Sequence, residues 1–494
     1  MSSIYFVALP LLFGFATPLL GKLGKNGIAY VSTLMQVALF ILALSLLLST
    51  SWSVEVISIA PPLGISFVLN KASLFFVTLF TFMMMLFSFY YLDLRKSDPY
   101  AHEGKFFILL NMLLASSIGL VLSSDIFNIY VFFEIAGLSA YILSAYKKTP
   151  KALEAGLKYL VTGMMASVFL LLAITFIYIH LGSLNLAVLS ESFNTLPYNI
   201  KVLISVFLLI GFGFKVEIFP LNFWVTDVYE GSSSPVNALF SSIVVKAYLF
   251  VFFHILYLFM PDSEFGTFLI YLGALSMLVA EIVALKQTNL KRVFAYSSLG
   301  QVGFIFAVMA SENPSAVTAA FFIILAHSVA KMMIFLSITS IEREHQSVEI
   351  ETLKELNSPF IKVMMILAML SLLGIPLFAG FIGKFLALKD FAVNSAYVVV
   401  VVIVIASLIE SIYYFKIAGN LFYKGEKSKG EKSKGKKREK LTLTLMQKAV
   451  FTVLALVLLL VGIAPWLFSG FISEASQVML DSTTYATTLM GGLK

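Results

Sequence analysis

Cysteine is absent from the 494-residue chain, so disulfides, thiolate metal sites, cysteine-ligated iron–sulfur clusters and a cysteine nucleophile are excluded. No cofactor, metal site or redox centre of its own is expected, and any redox chemistry belongs to a partner. Charge is scarce too: 12% of residues are acidic or basic against about 25% in a soluble domain, while 60% are apolar and mean hydropathy is +0.95. A water-soluble enzyme is excluded. At about 20 apolar residues per crossing, the sequence supplies a dozen or more helical spans and leaves no room for a folded extramembrane domain. The opening MSSIYFVALPLLFGFATPLLG lacks a basic n-region and a small-residue cleavage site, so it reads as a first span and not a removable signal.

Breaking the chain at charge and turn clusters gives fourteen apolar segments, near 4–20, 28–50, 70–92, 106–122, 125–146, 153–180, 199–225, 235–260, 265–285, 292–311, 314–340, 360–388, 393–423 and 446–470. The expected fold is all-α and polytopic. An even count puts both termini on one side. The connections after odd-numbered spans hold 25 of the 34 lysines and arginines, from Lys22 through Lys448, and the opposite connections and terminus hold four: Lys71, Lys201, Lys389 and Lys494. The positive-inside rule makes the basic face cytoplasmic and both termini external. The net charge of +7 is then mostly topology and not a sign of nucleic-acid binding. The low-complexity run KGEKSKGEKSKGKKREK, residues 424–440, reads as a flexible cytoplasmic loop with no chemistry assigned.

Five bases remain inside spans: Lys215, Lys246, Lys331, Lys384 and Lys416. A mid-span lysine costs about 2.5–3.5 kcal/mol on the insertion scale, so such residues call for a role. Burial disfavours the ammonium and a nearby carboxylate favours it, and a lysine balanced between the two exchanges protons near neutral pH. That property suits a membrane proton relay.

Lys215 lies in LLIGFGFKVEIFPLNFW, where Pro220 lacks a donor and its ring obstructs the Val216 carbonyl. The helix should break there beside a hydrated cavity. Glu217 is two residues from Lys215 and should point to a different side. LLGIPLFAGFIGKFLALKD repeats the theme, with Gly374 and Pro376 loosening the helix ahead of Lys384. Two broken spans, the seventh and twelfth, with a lysine at matching positions in each, suggest inverted transporter repeats. Glu134 is a deep acid that needs a cation or a proton, and Lys215 is its candidate partner. Lys246 is near mid-depth and could take the proton from Lys215. His327 and Lys331 are four apart on one helix face and suit a shuttle. Glu410, a second deep acid, either receives protons from Lys384 or offsets Lys416. His254 reads as a core residue and Glu281 as a boundary residue.

These residues, with LKRVFAYSSLGQVGF, AHSVAKMMIFL and the loop TDVYEGSSSPVN, resemble the antiporter-like subunits of respiratory complex I, of membrane-bound energy-converting hydrogenases and of multisubunit sodium/proton antiporters. The resemblance implies a fourteen-helix fold with two inverted five-helix units, spans 4–8 and 9–13. The domains then run 1–105, 106–260, 261–423 and 424–494. It also implies that Glu134 and Lys215 form a coupling pair, Lys246 a relay lysine, His327 and Lys331 a central relay, and Lys384 the terminal proton-exchanging lysine. Glu410 does not carry over by motif. The chain ends soon after span 14, and the absence of a long lateral helix favours the shorter subunits, including the D-type antiporter subunit.

The expected function is proton translocation through two half-channels joined by a hydrated axis, in a cell-membrane complex with other membrane subunits, further antiporter-like subunits among them. Energy would come from a peripheral iron–sulfur module or an opposing ion gradient. The rivals are a sodium/proton exchange subunit, a stand-alone transporter of an anionic solute whose lysines bind the anion, and a structural anchor, which leaves the buried lysines unexplained.

Overall fold

The computed structural model describes residues 2–20, 24–49, 54–58, 66–96, 103–259, 263–423 and 443–491. Among them, twelve helices are long and apolar enough to cross a membrane, and two shorter apolar helices, Ser3–Thr17 and Pro359–Leu373, lie where the first and twelfth segments are expected. The basic run 424–440 lies outside the described residues.

Both expected breaks occur, each for a local reason. Helix Tyr198–Val216 stops four residues before Pro220, and Glu217 caps it at φ 65. The chain then turns until a short helix, Val225–Gly231. The twelfth segment divides into Pro359–Leu373 and Ala379–Val393, with Gly374 at φ 78 between them. That left-handed backbone is one glycine adopts without steric cost. One hairpin and two helices were not anticipated. A hairpin pairs Glu55–Ser58 with Ser66–Leu69, and beyond Pro465 the chain forms helices Trp466–Leu480 and Ser482–Gly491. Ser469, Glu474 and Ser476 make the first of these too polar to read as a span.

Hydrogen bonds sort the connections into two ends of the bundle. At one end Lys147 and Lys291 both reach Glu342, while Lys158 and Arg292 both reach Asp227, so the connections after the fifth, seventh, ninth and eleventh segments meet. At the other end the Ser124 N–H donates to Ser66 O, and the Ile126 N–H donates to Leu184 O. There the connections after the second, fourth and sixth segments meet.

The same local design recurs once at each end. Asp125 caps helix Ile126–Ser144 and bridges to Asn185, while Asn289 caps helix Leu290–Met309 and bridges to Glu349. Each capped helix is followed by a 32-residue helix with proline in its first turn and a left-handed C-cap, Pro150–Leu181 ending at Gly182 and Pro314–His345 ending at Gln346. A short helical turn and then a broken helix follow in both cases.

Candidate functional site

Lys215 sits in the last turn before the first break and is 2% exposed. Its Nζ donates to Tyr141 Oη at 2.5 Å and lies 4.5 Å from the Tyr141 ring centre. Phe133 and Tyr159 follow at 5.2 Å and Tyr248 at 5.6 Å, so π faces surround the charge. Two glycines keep this box open. A Cβ at Gly137 would lie 3.0 Å from Lys215 Nζ, and one at Gly163 would overlap the Tyr141 phenol. Glu134, two helical turns before Tyr141 on the same helix, accepts from Ser167 Oγ. No ion pair within 4 Å joins Glu134 to Lys215 among the described residues. The expected pair therefore does not form a direct contact, although the Glu134 charge acts on both Lys215 and Tyr141.

The central residues do meet. A π-helical turn, Phe240–Val244, leads into the helix Val245–Phe259, and Lys246 Nζ donates to Ser241 O while lying 2.6 Å from His327 Nδ1. An ammonium donating to Nδ1 leaves the neutral ring's proton on Nε2. Lys331, one turn after His327, turns the other way and donates to Ser297 Oγ at 2.7 Å and Phe294 O at 3.1 Å. Ser297 Oγ is 2.6 Å from Tyr414 Oη. Lys246, His327 and Lys331 are fully buried.

Lys384 is 8% exposed, and its Nζ reaches back across the second break to the Leu372 and Leu373 carbonyls at 3.3 and 3.1 Å. These are carbonyls that the end of a helix leaves unpaired. Ser407 Oγ at 3.2 Å and Glu410 Oε2 at 3.5 Å complete its surroundings. Gln301 Nε2 donates to both Glu410 oxygens, at 2.9 and 3.1 Å. Glu410 thus faces Lys384, while Lys416 is exposed on the same helix. One expectation needs correction: Lys215 precedes its break and Lys384 follows its own, so the two lysines do not occupy matching positions.

Sequence reasoning missed two acids. Glu281 is not a boundary residue, because it is fully buried and its Oε2 accepts from Tyr413 Oη at 2.7 Å. Its place near the end of helix Ser263–Ala284, close to Lys286, hid this. Glu217 is 3% exposed, since the left-handed turn at the break removes it from the helical spacing used to set it aside. Tyr141 and Gln301 carried no separate signal. His254 packs between Phe250 and Tyr485, as a core residue does.

Where the odd-numbered connections meet, Lys151, Glu154, Lys158, Asp227 and Glu230 line a cleft of about 110 Å³. Arg292 Nη1 lies 2.9 Å from both Asp227 and Glu230. Partial burial would raise the carboxyl of Asp227, but hydrogen bonds from Lys158 and Arg292 outweigh it and hold the group below the usual carboxylate range. Glu230 is lowered in the same way by Arg292 and Lys151.

Residues 123–410, more than half of the chain, match the family model described as NADH:quinone oxidoreductase/Mrp antiporter, TM. NADH-quinone oxidoreductase subunit N of Desulforudis audaxviator is 30% identical over 438 residues, covering 85% of this chain and 86% of the relative. A chain in the structure of the membrane-bound sulfane sulfur reductase, an archaeal respiratory membrane complex, is 28% identical with a TM-score of 0.88, covering 99% of both chains. A chain of the Mrp complex from Dietzia sp. DQ12-45-1b reaches the same TM-score over 99% of both chains at 22% identity, a likeness of fold alone.

Proposed function

Because this chain belongs to the NADH:quinone oxidoreductase/Mrp antiporter transmembrane family, we propose that it is a proton-translocating, antiporter-like subunit of a larger complex in the cell membrane. Its partners are other membrane subunits, as in the respiratory and Mrp complexes that its structural relatives come from. A redox module or an opposing ion gradient supplies the energy. We read the chain as fourteen crossings with the basic end cytoplasmic and both termini external. We read 106–260 and 261–423 as inverted repeats, which is supported by one capped and bridged helix design at each end of the bundle.

The contact between Lys246 Nζ and His327 Nδ1 at 2.6 Å carries this reading. It joins the first half to the second in the middle of the fold, with Lys215 and Glu134 on one side and Lys331, Lys384 and Glu410 on the other. A proton leaving Lys215 passes to Lys246, to His327, to Lys331 and then to Lys384, where Glu410 receives or returns it. An amine carries a proton and does not coordinate a hard cation as a carboxylate does, so a path of four buried lysines and His327 favours protons over the sodium alternative.

The test is Lys215→Ala and Glu134→Ala, each in the intact complex reconstituted in vesicles. Both variants should assemble, and both should lose coupled ion movement, read as a change of internal pH. Undiminished pumping by both would refute the reading.

A further inference from the structure

Two buried acids with a partnerless carboxylate oxygen among the described residues remain unused by the path just described, one in each half. In the second half Glu281 is fully buried, with Oε2 held by Tyr413 and with no hydrogen-bond partner for Oε1 among the described residues. Gly300 keeps space around that oxygen, because a Cβ there would overlap it. Tyr413 meets Tyr414 edge-on at 4.8 Å, and Tyr414 bonds Ser297, which bonds Lys331. Glu281 is therefore connected to Lys331 through three side chains.

In the first half Glu217 is held in the break by its left-handed backbone, and its Oε2 likewise has no partner among the described residues. Trp224 and Tyr229 also turn partnerless buried polar atoms into the fold near this break. Trp224 stacks on Tyr159 at 4.3 Å, and Tyr159 meets Phe240 at 5.9 Å, the residue that opens the π-helical turn before Lys246. Lys246, Tyr159 and Tyr229 face Glu217 electrostatically, and Glu410, Lys331, Lys384, Tyr413 and Tyr414 face Glu281.

A buried carboxylate without a counter-charge is costly, and so is a buried amine. The path described above has four buried amines, Lys215, Lys246, Lys331 and Lys384, and with these two acids it has four acids beside them, Glu134 and Glu410 being the others. We propose that Glu217 and Glu281 are proton-holding residues of the relay, Glu217 serving Lys246 and Glu281 serving Lys331, in addition to Glu134 and Glu410. In each step an ammonium gives one proton to the carboxylate, leaving a neutral amine and a neutral acid, and the reverse transfer restores the ion pair. Net charge at each pair stays constant while the proton waits. The inference rests on the translocation reading above.

The experiment places Glu217→Gln and Glu281→Gln in the intact complex in vesicles, beside Lys215→Ala. Glutamine keeps the size and the acceptor for Tyr413 but holds no exchangeable acid proton. Each Gln variant should assemble and translocate protons about tenfold more slowly, with one ionisation missing from the pH profile. Glu→Asp at the same positions should recover most of the rate. If Lys215→Ala stops translocation while both Gln variants run at the unaltered rate with an unchanged pH profile, the inference falls and the translocation reading stands. If Lys215→Ala also runs normally, the translocation reading falls first. Should a Gln variant not assemble, infrared difference spectra of the unaltered complex labelled with ¹³C-glutamate decide. A carboxylic acid band that changes on energisation and shifts in the Asp variant supports the role, and no such band overturns it.

Discussion

Lys215 in the first half lies among four aromatic rings with a phenol oxygen at 2.5 Å, whereas Lys384 in the second half lies 3.5 Å from the Glu410 carboxylate and against the carbonyls that end a half-helix. Both amines are buried beside a broken helix, so the scaffold sets the position and the neighbours set how the charge is balanced. In the second half the balance is complete within the cluster. In the first it depends on Glu134, which sits on Ser167 at longer range and is half-buried beside exposed Val131 and Leu138. The first half holds its amine among rings and a phenol, and the second holds its amine against a carboxylate and helix-end carbonyls.

The largest expected difference comes from removing the two acids. Glu410→Ala leaves a buried ammonium without its carboxylate, and breaking such a pair costs about 3–5 kcal/mol. Glu134→Ala loses a hydrogen bond to Ser167 and no direct ion pair, a loss of about 1–3 kcal/mol. Thermal unfolding of the purified chain in detergent should therefore show a clearly larger drop in Tm for Glu410→Ala. Equal drops would break the comparison.

A smaller effect sharpens it. In Gly163→Ala the new methyl group overlaps the Tyr141 phenol and displaces it from Lys215. Proton translocation should fall about tenfold, equivalent to ~1.4 kcal/mol, while the Lys384–Glu410 pair is untouched. An unchanged rate, measured in vesicles, would mean that the aromatic box does not govern Lys215.

What the sequence made legible follows from chain-local physics. Pro220 and Gly374 act on their own backbone, so both breaks could be placed before any tertiary contact was known. His327 and Lys331 share a face because the helix repeats every 3.6 residues. The residues that escaped notice depend on other chain segments or on non-helical backbone. Tyr141 matters because Lys215, on a different helix, points at it. Glu217 was set aside by helical spacing that stops applying one residue before it. Glu281 looked like an edge because linear distance to Lys286 measures depth poorly near a helix end. The supposed match between Lys215 and Lys384 failed because each break is set by its own local turn, at Glu217 just after Lys215 and at Gly374 ten residues before Lys384.

The smallest expected effect concerns the network that ties the two halves together at the basic end. Lys147, Lys151, Lys158, Asp227 and Glu230 come from the first half, and Lys291, Arg292 and Glu342 come from the second. Each part-exposed pair is worth about 0–1 kcal/mol. Asp227 and Glu230 have carboxyls held below their ordinary values, so their stabilising contribution is present above the unfolded carboxylate range and is lost as pH falls through the lowered values. Tm should therefore decline modestly on acidification, and Asp227→Asn with Glu230→Gln should flatten that decline. If the doubly substituted chain keeps the full acid sensitivity, these two carboxylates do not couple the halves. The halves would then be held by other contacts, among them Lys147 with Glu342 at the basic end and Lys246 with His327 in the interior.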